Sequence, residues 1–148
     1  KAREIFKLSG SSIVTVNKEI DGFILNRLQG ALLNEAMRLY SEGYASSEDI
    51  DATIKDGLGL RWAFMGPFET IDLNAPGGIK DYMARYGSIF IEMAKSQTKI
   101  PDWSENAGKK LELERRKVLS KDDLEKRAKK RNFLLKQLRK LKIDNDET

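Results

Sequence analysis

"GFILNRLQGALLNEAMRLY", Gly22 to Tyr40, is the stretch on which the fold turns. At 3.6 residues per turn, Arg27, Asn34 and Arg38 gather into one narrow polar stripe. The rest of the wheel is nearly all apolar: Phe23, Ile24, Leu25, Leu28, Leu32, Leu33, Met37, Leu39 and Tyr40 among others. A helix apolar most of the way round is expected to be a central, buried one. Asn26 does not join the polar stripe; it falls between Leu33 and Met37. A polar group in such surroundings costs stability unless it finds a partner. Two readings of Asn26 stay open on the wheel alone. It is a structural amide bonded to a neighbouring loop, or an amide lining a cleft and offered to a substrate oxygen.

Working outward, the chain reads as helix after helix. Gly43 stops the first. "SSEDIDATIKDG" reads as a second, opened by a capping pattern of Ser46 with Asp49 and stopped by Gly57. "GLGLRWAFMGP" then reads as a connecting loop. Its Gly57-x-Gly59 begins a dinucleotide fingerprint, but Trp62 holds the third glycine position and no strand precedes it, so that signal is rejected. Pro67 and Glu69 restart a helix in "GPFETIDL", and "NAPGG" interrupts it. Ile79, Met83, Tyr86, Phe90 and Met93 follow with 4-3-4-3 spacing, an apolar seam that faces either the core or a second chain. Ser104 opens a charged helix to about Lys117. Ser120 with Asp123 caps a last helix to about Leu141.

Before this body stands a different pattern. "KAREIFKLSG" reads as the tail of a helix stopped by Gly10, and "SSIVTV" as one β-branched strand. A lone strand cannot satisfy its own edges. A helix end feeding an isolated strand is expected to be the remnant of an α/β unit. The expected fold is therefore all-α, a helical bundle of five or so helices over residues 18–148, preceded at 1–17 by a helix-strand remnant of another domain.

Composition narrows the chemistry. The 148 residues are 40% hydrophobic and 34% charged, which suits one globular domain. No apolar run approaches the roughly 20 residues of a membrane helix, so no membrane partner is expected. Cys is absent, which excludes disulfides and thiolate metal sites and fits a reducing compartment such as the cytoplasm. His is absent too; this removes Ser-His and Cys-His nucleophile pairs, His-ligated metals and the commonest general base. No metal site is expected. The formal charge of +4 is uneven. Residues 109–142 hold 15 Lys/Arg against 5 Asp/Glu, while residues 1–108 hold 12 basic and 15 acidic. Only Phe133 interleaves as an aromatic in "KRAKKRNFLLKQLRKLK", so stacking platforms for bases are lacking. The expected role of this stretch is structural, with Leu124, Ala128, Leu135 and Leu138 docking on the bundle. No nucleic-acid partner is expected. Arg61, beside Trp62 and Phe64, is either an anion site, because a guanidinium pairs with carboxylate or phosphate, or a surface Arg stacked on Trp62.

"KEIDGFILNRLQGALLNEAMRLYSEGYASSEDIDATIKDGLGLRWAFMGPFETIDLNAPGG", residues 18–78, resembles the C-terminal domain of the L-3-hydroxyacyl-CoA dehydrogenase superfamily. "GF-x-x-NR", the later "EA" and the "MGPFE" turn carry the superfamily likeness. "GLGLRWAFMGP" followed by "LNA" is closer to the lambda-crystallin group, the L-gulonate 3-dehydrogenases. Acyl-CoA enzymes of the superfamily usually have a shorter approach to that turn, and Pro where Asp21 stands. The resemblance implies a two-domain enzyme. An N-terminal Rossmann domain binds NAD and contributes a catalytic His–Glu pair. An all-helical C-terminal domain, like that of 6-phosphogluconate dehydrogenase, closes the substrate cleft and forms a homodimer. It implies that Asn26 is directed at the reacting end of a small hydroxy-acid substrate, and that Arg61 lies near substrate and dimer contact. It also implies that this chain alone, without the His–Glu pair, is inactive.

Overall fold

The computed structural model describes residues 13–145. All regular structure among them is helical: α1 (Phe23–Ser41), α2 (Ser47–Ala52), a π-helical stretch (Thr53–Leu58), α3 (Gly59–Trp62), α4 (Pro67–Leu73), α5 (Gly78–Ser96), α6 (Glu105–Val118) and α7 (Leu124–Asn145). The all-α expectation holds. No helix among them is long and apolar enough to cross a membrane. The expected helix tail at 1–10 lies outside the described residues. Of the expected strand, Ile13–Val16 are described and take no strand pairing.

Local chemistry sets most helix ends. α1 closes on Gly43, at φ +76°, with the Tyr44 N–H reaching back to the Leu39 carbonyl at 2.9 Å and Gly43 N–H to Tyr40 at 3.1 Å, a paired closure that needs a left-handed residue. Ser46 Oγ accepts from Asp49 N–H at 3.1 Å, Ser104 Oγ from Ala107 N–H at 3.3 Å, and Ser120 Oγ from Asp123 N–H at 3.2 Å. The first two meet otherwise orphaned first-turn donors; Asp123 N–H, just ahead of α7, also reaches the Ser120 carbonyl at 3.3 Å. Pro67 opens α4, where a missing N–H costs nothing.

Gly57 does not stop the second helix. Helical backbone runs from Ser47 to Trp62 because the chain widens into a π turn, in which Gly59 N–H bonds the Ile54 carbonyl five residues back. "GLGLRWAFMGP" is therefore not a loop through Arg61: Gly59–Trp62 is helical.

Tertiary ties are few and specific. α2 packs on α1 and on α6, and α4 on α5. Ser47 donates from both N–H (2.7 Å) and Oγ (2.8 Å) to Glu114 Oε1 of α6. Arg115 pairs with Asp51 at 3.2 Å, and Trp103 Nε1 donates to Asn34 Oδ1 at 3.0 Å. Asp72 of α4 accepts from Ile79 N–H at 2.6 Å, capping α5.

Two packing expectations fail. α1 is not buried by this chain: of its side chains only Met37 is buried, and Leu25 is 75% exposed. The stripe of α7 does not dock closely; Leu124 and Leu135 stay exposed, and α7 makes no extended packing with another helix. The whole chain exposes 12735 Å², whereas a compact chain of its 16.8 kDa is expected to expose about 7,700 Å². Among the described residues the buried apolar ones are Met37, Ala75 and Ala107. The helices are formed, but their apolar faces are mostly left uncovered.

Candidate functional site

Asn26 sits in the first turn of α1. The chain enters that turn through Gly22 (φ +81°) and Phe23 (φ +49°), a left-handed pair that is unusual for a bulky aromatic. The Ile20 carbonyl accepts from Phe23 N–H at 3.0 Å and holds this corner. The Asn26 side chain is exposed and makes no hydrogen bond among the described residues. Its amide is not spent on a loop, which was one of its two readings.

Arg61 lies on α3, one turn after the π stretch. Its guanidinium is exposed and takes neither an ion pair nor a ring face among the described residues. The stack on Trp62 is therefore not made; the ring contact of a cation that does form is Arg38 over Tyr44, at 5.9 Å. α1 and α3 do not pack extensively on each other. The chain presents Asn26 and Arg61 separately and does not by itself gather them into one pocket.

Of the clefts among the described residues, three larger or more enclosed ones lie elsewhere. The first, of about 310 Å³, runs between α1 and residues 97–101 and is walled by Asn34, Glu35 and Arg38. Its charged pair, Glu35 and Arg38, is already satisfied. Arg38 Nε donates to Glu35 Oε2 at 2.9 Å and its Nη2 to Oε1, while Nη1 reaches Glu42 at 3.2 Å. The Arg38 hydrogen bonds hold the Glu35 carboxyl below its usual value, and Glu35 raises Arg38 in return. A saturated ion pair of this kind offers little to a ligand.

The second, also of about 310 Å³, is lined by Met37, Tyr40, Ser47 and Arg115. Here Ser47 meets Glu114, a pairing that superficially resembles a nucleophile and its base. The chemistry runs the other way. Ser47 side-chain and backbone donors lower the Glu114 carboxyl, making it a weaker base, and Ser47 is buried. A carboxylate at the start of α2 also meets the positive end of that helix. Burial and then Glu114 raise the Tyr40 phenol. This cluster is a structural knot, and nothing in the local sequence spacing announced it.

The third, about 870 Å³, is a groove between the π turn and α7, lined by Leu60, Leu124, Leu134 and Leu138 together with Lys55, Arg127 and Lys130.

Gly57 and Gly59 do not make a dinucleotide fingerprint. They lie inside a helical turn and not between a strand and a helix, so no phosphate cradle forms there.

Residues 22–121 match the family described as "3-hydroxyacyl-CoA dehydrogenase, C-terminal domain". Lambda-crystallin of Oryctolagus cuniculus is 42% identical over 144 residues, covering 96% of this chain and 45% of that protein. A lambda-crystallin homolog of Bos taurus is 48% identical over 95 residues, 64% of this chain and 29% of its own length. L-carnitine dehydrogenase of Streptomyces coelicolor is 41% identical over 87 residues, 58% of this chain and 26% of its own length. The chain thus spans less than half the length of the curated relatives it matches.

Proposed function

Because this chain belongs to the family of 3-hydroxyacyl-CoA dehydrogenase C-terminal domains, we propose that it is the substrate-cleft and dimerisation part of an NAD-dependent dehydrogenase oxidising a 3-hydroxy acid, foremost L-gulonate. The observation that carries the reading is the 42% identity to a lambda-crystallin along 96% of the chain. Relatives named for L-carnitine support the same chemistry, since L-carnitine and L-gulonate are both 3-hydroxy carboxylates. The second reading, a 3-hydroxyacyl-CoA substrate, draws its support from the family description alone.

In this reading residues 18–148 form the substrate domain and NAD belongs to a Rossmann domain of the same polypeptide. Asn26 orients the substrate's hydroxyl oxygen from a fixed helix, and Arg61 takes its carboxylate. Their free side chains suit such roles, because a ligand would meet donors that no protein group already holds. A second copy of the chain covers the exposed apolar faces of α1 and α5.

Asn26→Ala in the complete polypeptide tests the assignment. NAD affinity stays unchanged, and turnover falls about a hundred- to thousandfold, more than KM rises, as for loss of an orienting donor. Full turnover per folded molecule would assign the amide to the fold.

A further inference from the structure

We infer that Gly59 is a positioning residue: its missing side chain permits the π turn that sets the direction of Arg61. The inference rests on the reading of Arg61 as the carboxylate-binding group.

One hydrogen bond and one distance define the turn. Gly59 N–H bonds the Ile54 carbonyl, five residues back. A Cβ built on Gly59 would stand 2.8 Å from that same oxygen, closer than carbon and oxygen tolerate without bonding. The obstacle is backbone, so no side-chain rotation relieves it. An L-residue with a side chain at 59 therefore pushes the Ile54 carbonyl away and opens the i→i+5 closure. Gly57 is the contrast: nothing lies within 4 Å of its would-be Cβ, although both glycines belong to the same helical run.

The closure has a directional consequence. A π turn holds one residue more than an α turn. Everything after it is displaced by one residue step, about 100° around the axis, relative to an uninterrupted α-helix. Lys55 and Leu60 register the effect, since both line the groove that faces α7. Five residues apart, they would stand about 140° apart on an α-helix; the wide turn brings them to one side. Arg61 is the next residue, two beyond Gly59, and α3 continues from the turn without a break. If the turn relaxes to α geometry, the Arg61 guanidinium swings away by the same step, and a bound carboxylate loses its partner.

The test uses the complete polypeptide with two substrates, a 3-hydroxy carboxylate and its uncharged amide, and compares kcat/KM for each. Arg61→Ala comes first. It lowers the preference for the carboxylate on the order of ten- to hundredfold, the scale of a lost charge-assisted contact. If it leaves that preference intact, the reading of Arg61 fails, whatever Gly59 does.

With Arg61 established, Gly59→Ala reproduces the loss: KM for the carboxylate rises, kcat changes little, and the amide is unaffected. The double variant Gly59→Ala/Arg61→Ala is no worse than Arg61→Ala, because both remove one contact. Gly57→Ala leaves both substrates as they were. A Gly59→Ala protein that keeps the carboxylate preference, or loses both substrates equally, overturns the inference. Deleting Asp56 from the Gly59→Ala protein supplies a rescue. Removing one residue turns the wide turn into an α turn with both flanks in their former register, and the carboxylate preference returns. If the deletion restores neither folding nor preference, the positioning role is wrong.

Discussion

Glu114 concentrates much of the tertiary specificity of this chain in one carboxylate. It accepts from the Ser47 amide and hydroxyl and raises Tyr40, so it joins α6, α2 and α1. Its carboxyl lies below the ordinary 4.5 because the Ser47 side chain and backbone donate to it. A depressed acid contributes stability that is present above the unfolded value and is lost as pH falls through the folded one. Glu114→Gln should therefore melt below the parent near pH 7, and the gap should narrow as pH falls below the ordinary carboxyl range. A gap that persists unchanged in acid would show that the charge is not what ties the helices. At this scale the sequence was partly legible. Asn26 stood out because an amide on an otherwise apolar face must be accounted for; its side chain makes no hydrogen bond among the described residues. Arg61 stood out by its aromatic neighbours, yet none of them holds it. Gly59 carries no signal in the sequence beyond the failed dinucleotide fingerprint, because the close contact it avoids is with a backbone oxygen five residues away.

The helices follow the same division between local and distant causes. Ser46, Ser104, Ser120, Pro67 and Gly43 bound elements where expected, since a cap acts on backbone within a few residues of itself. The π turn escaped notice because i→i+5 bonding leaves no mark in composition. The burial of α1 was misjudged for another reason: periodicity tells which face is apolar and not which molecule covers it. Phe23, Leu25 and Leu28 on α1, with Met83 and Phe90 on α5, remain exposed, and each such side chain contributes about 1.5–3 kcal/mol when fully covered. A second copy supplies that cover in the present account. Light scattering on the isolated chain should give twice 16.8 kDa at high micromolar concentration, and Phe90→Glu should shift it toward the monomer. A parent chain that stays monomeric there contradicts this use of the seam.

For the whole molecule, uncovered apolar faces and free Asn26 and Arg61 side chains among its described residues are what the proposed substrate-cleft and dimerisation role requires. The resemblance carried in "GFILNR" and "LRWAFMGP" gave family and all-α class. Composition alone would have allowed any soluble helical module, and absence of His spoke only against chemistry completed within these residues. The substrate class is the central claim, and one measurement addresses it directly: NADH formation by the complete polypeptide from L-gulonate, L-carnitine and a 3-hydroxyacyl-CoA, compared as kcat/KM. A free 3-hydroxy carboxylate, foremost L-gulonate, is expected to be preferred over the thioester by about tenfold or more, the scale of one charge-assisted contact. Preference for the acyl-CoA, or no oxidation of either carboxylate, would contradict it.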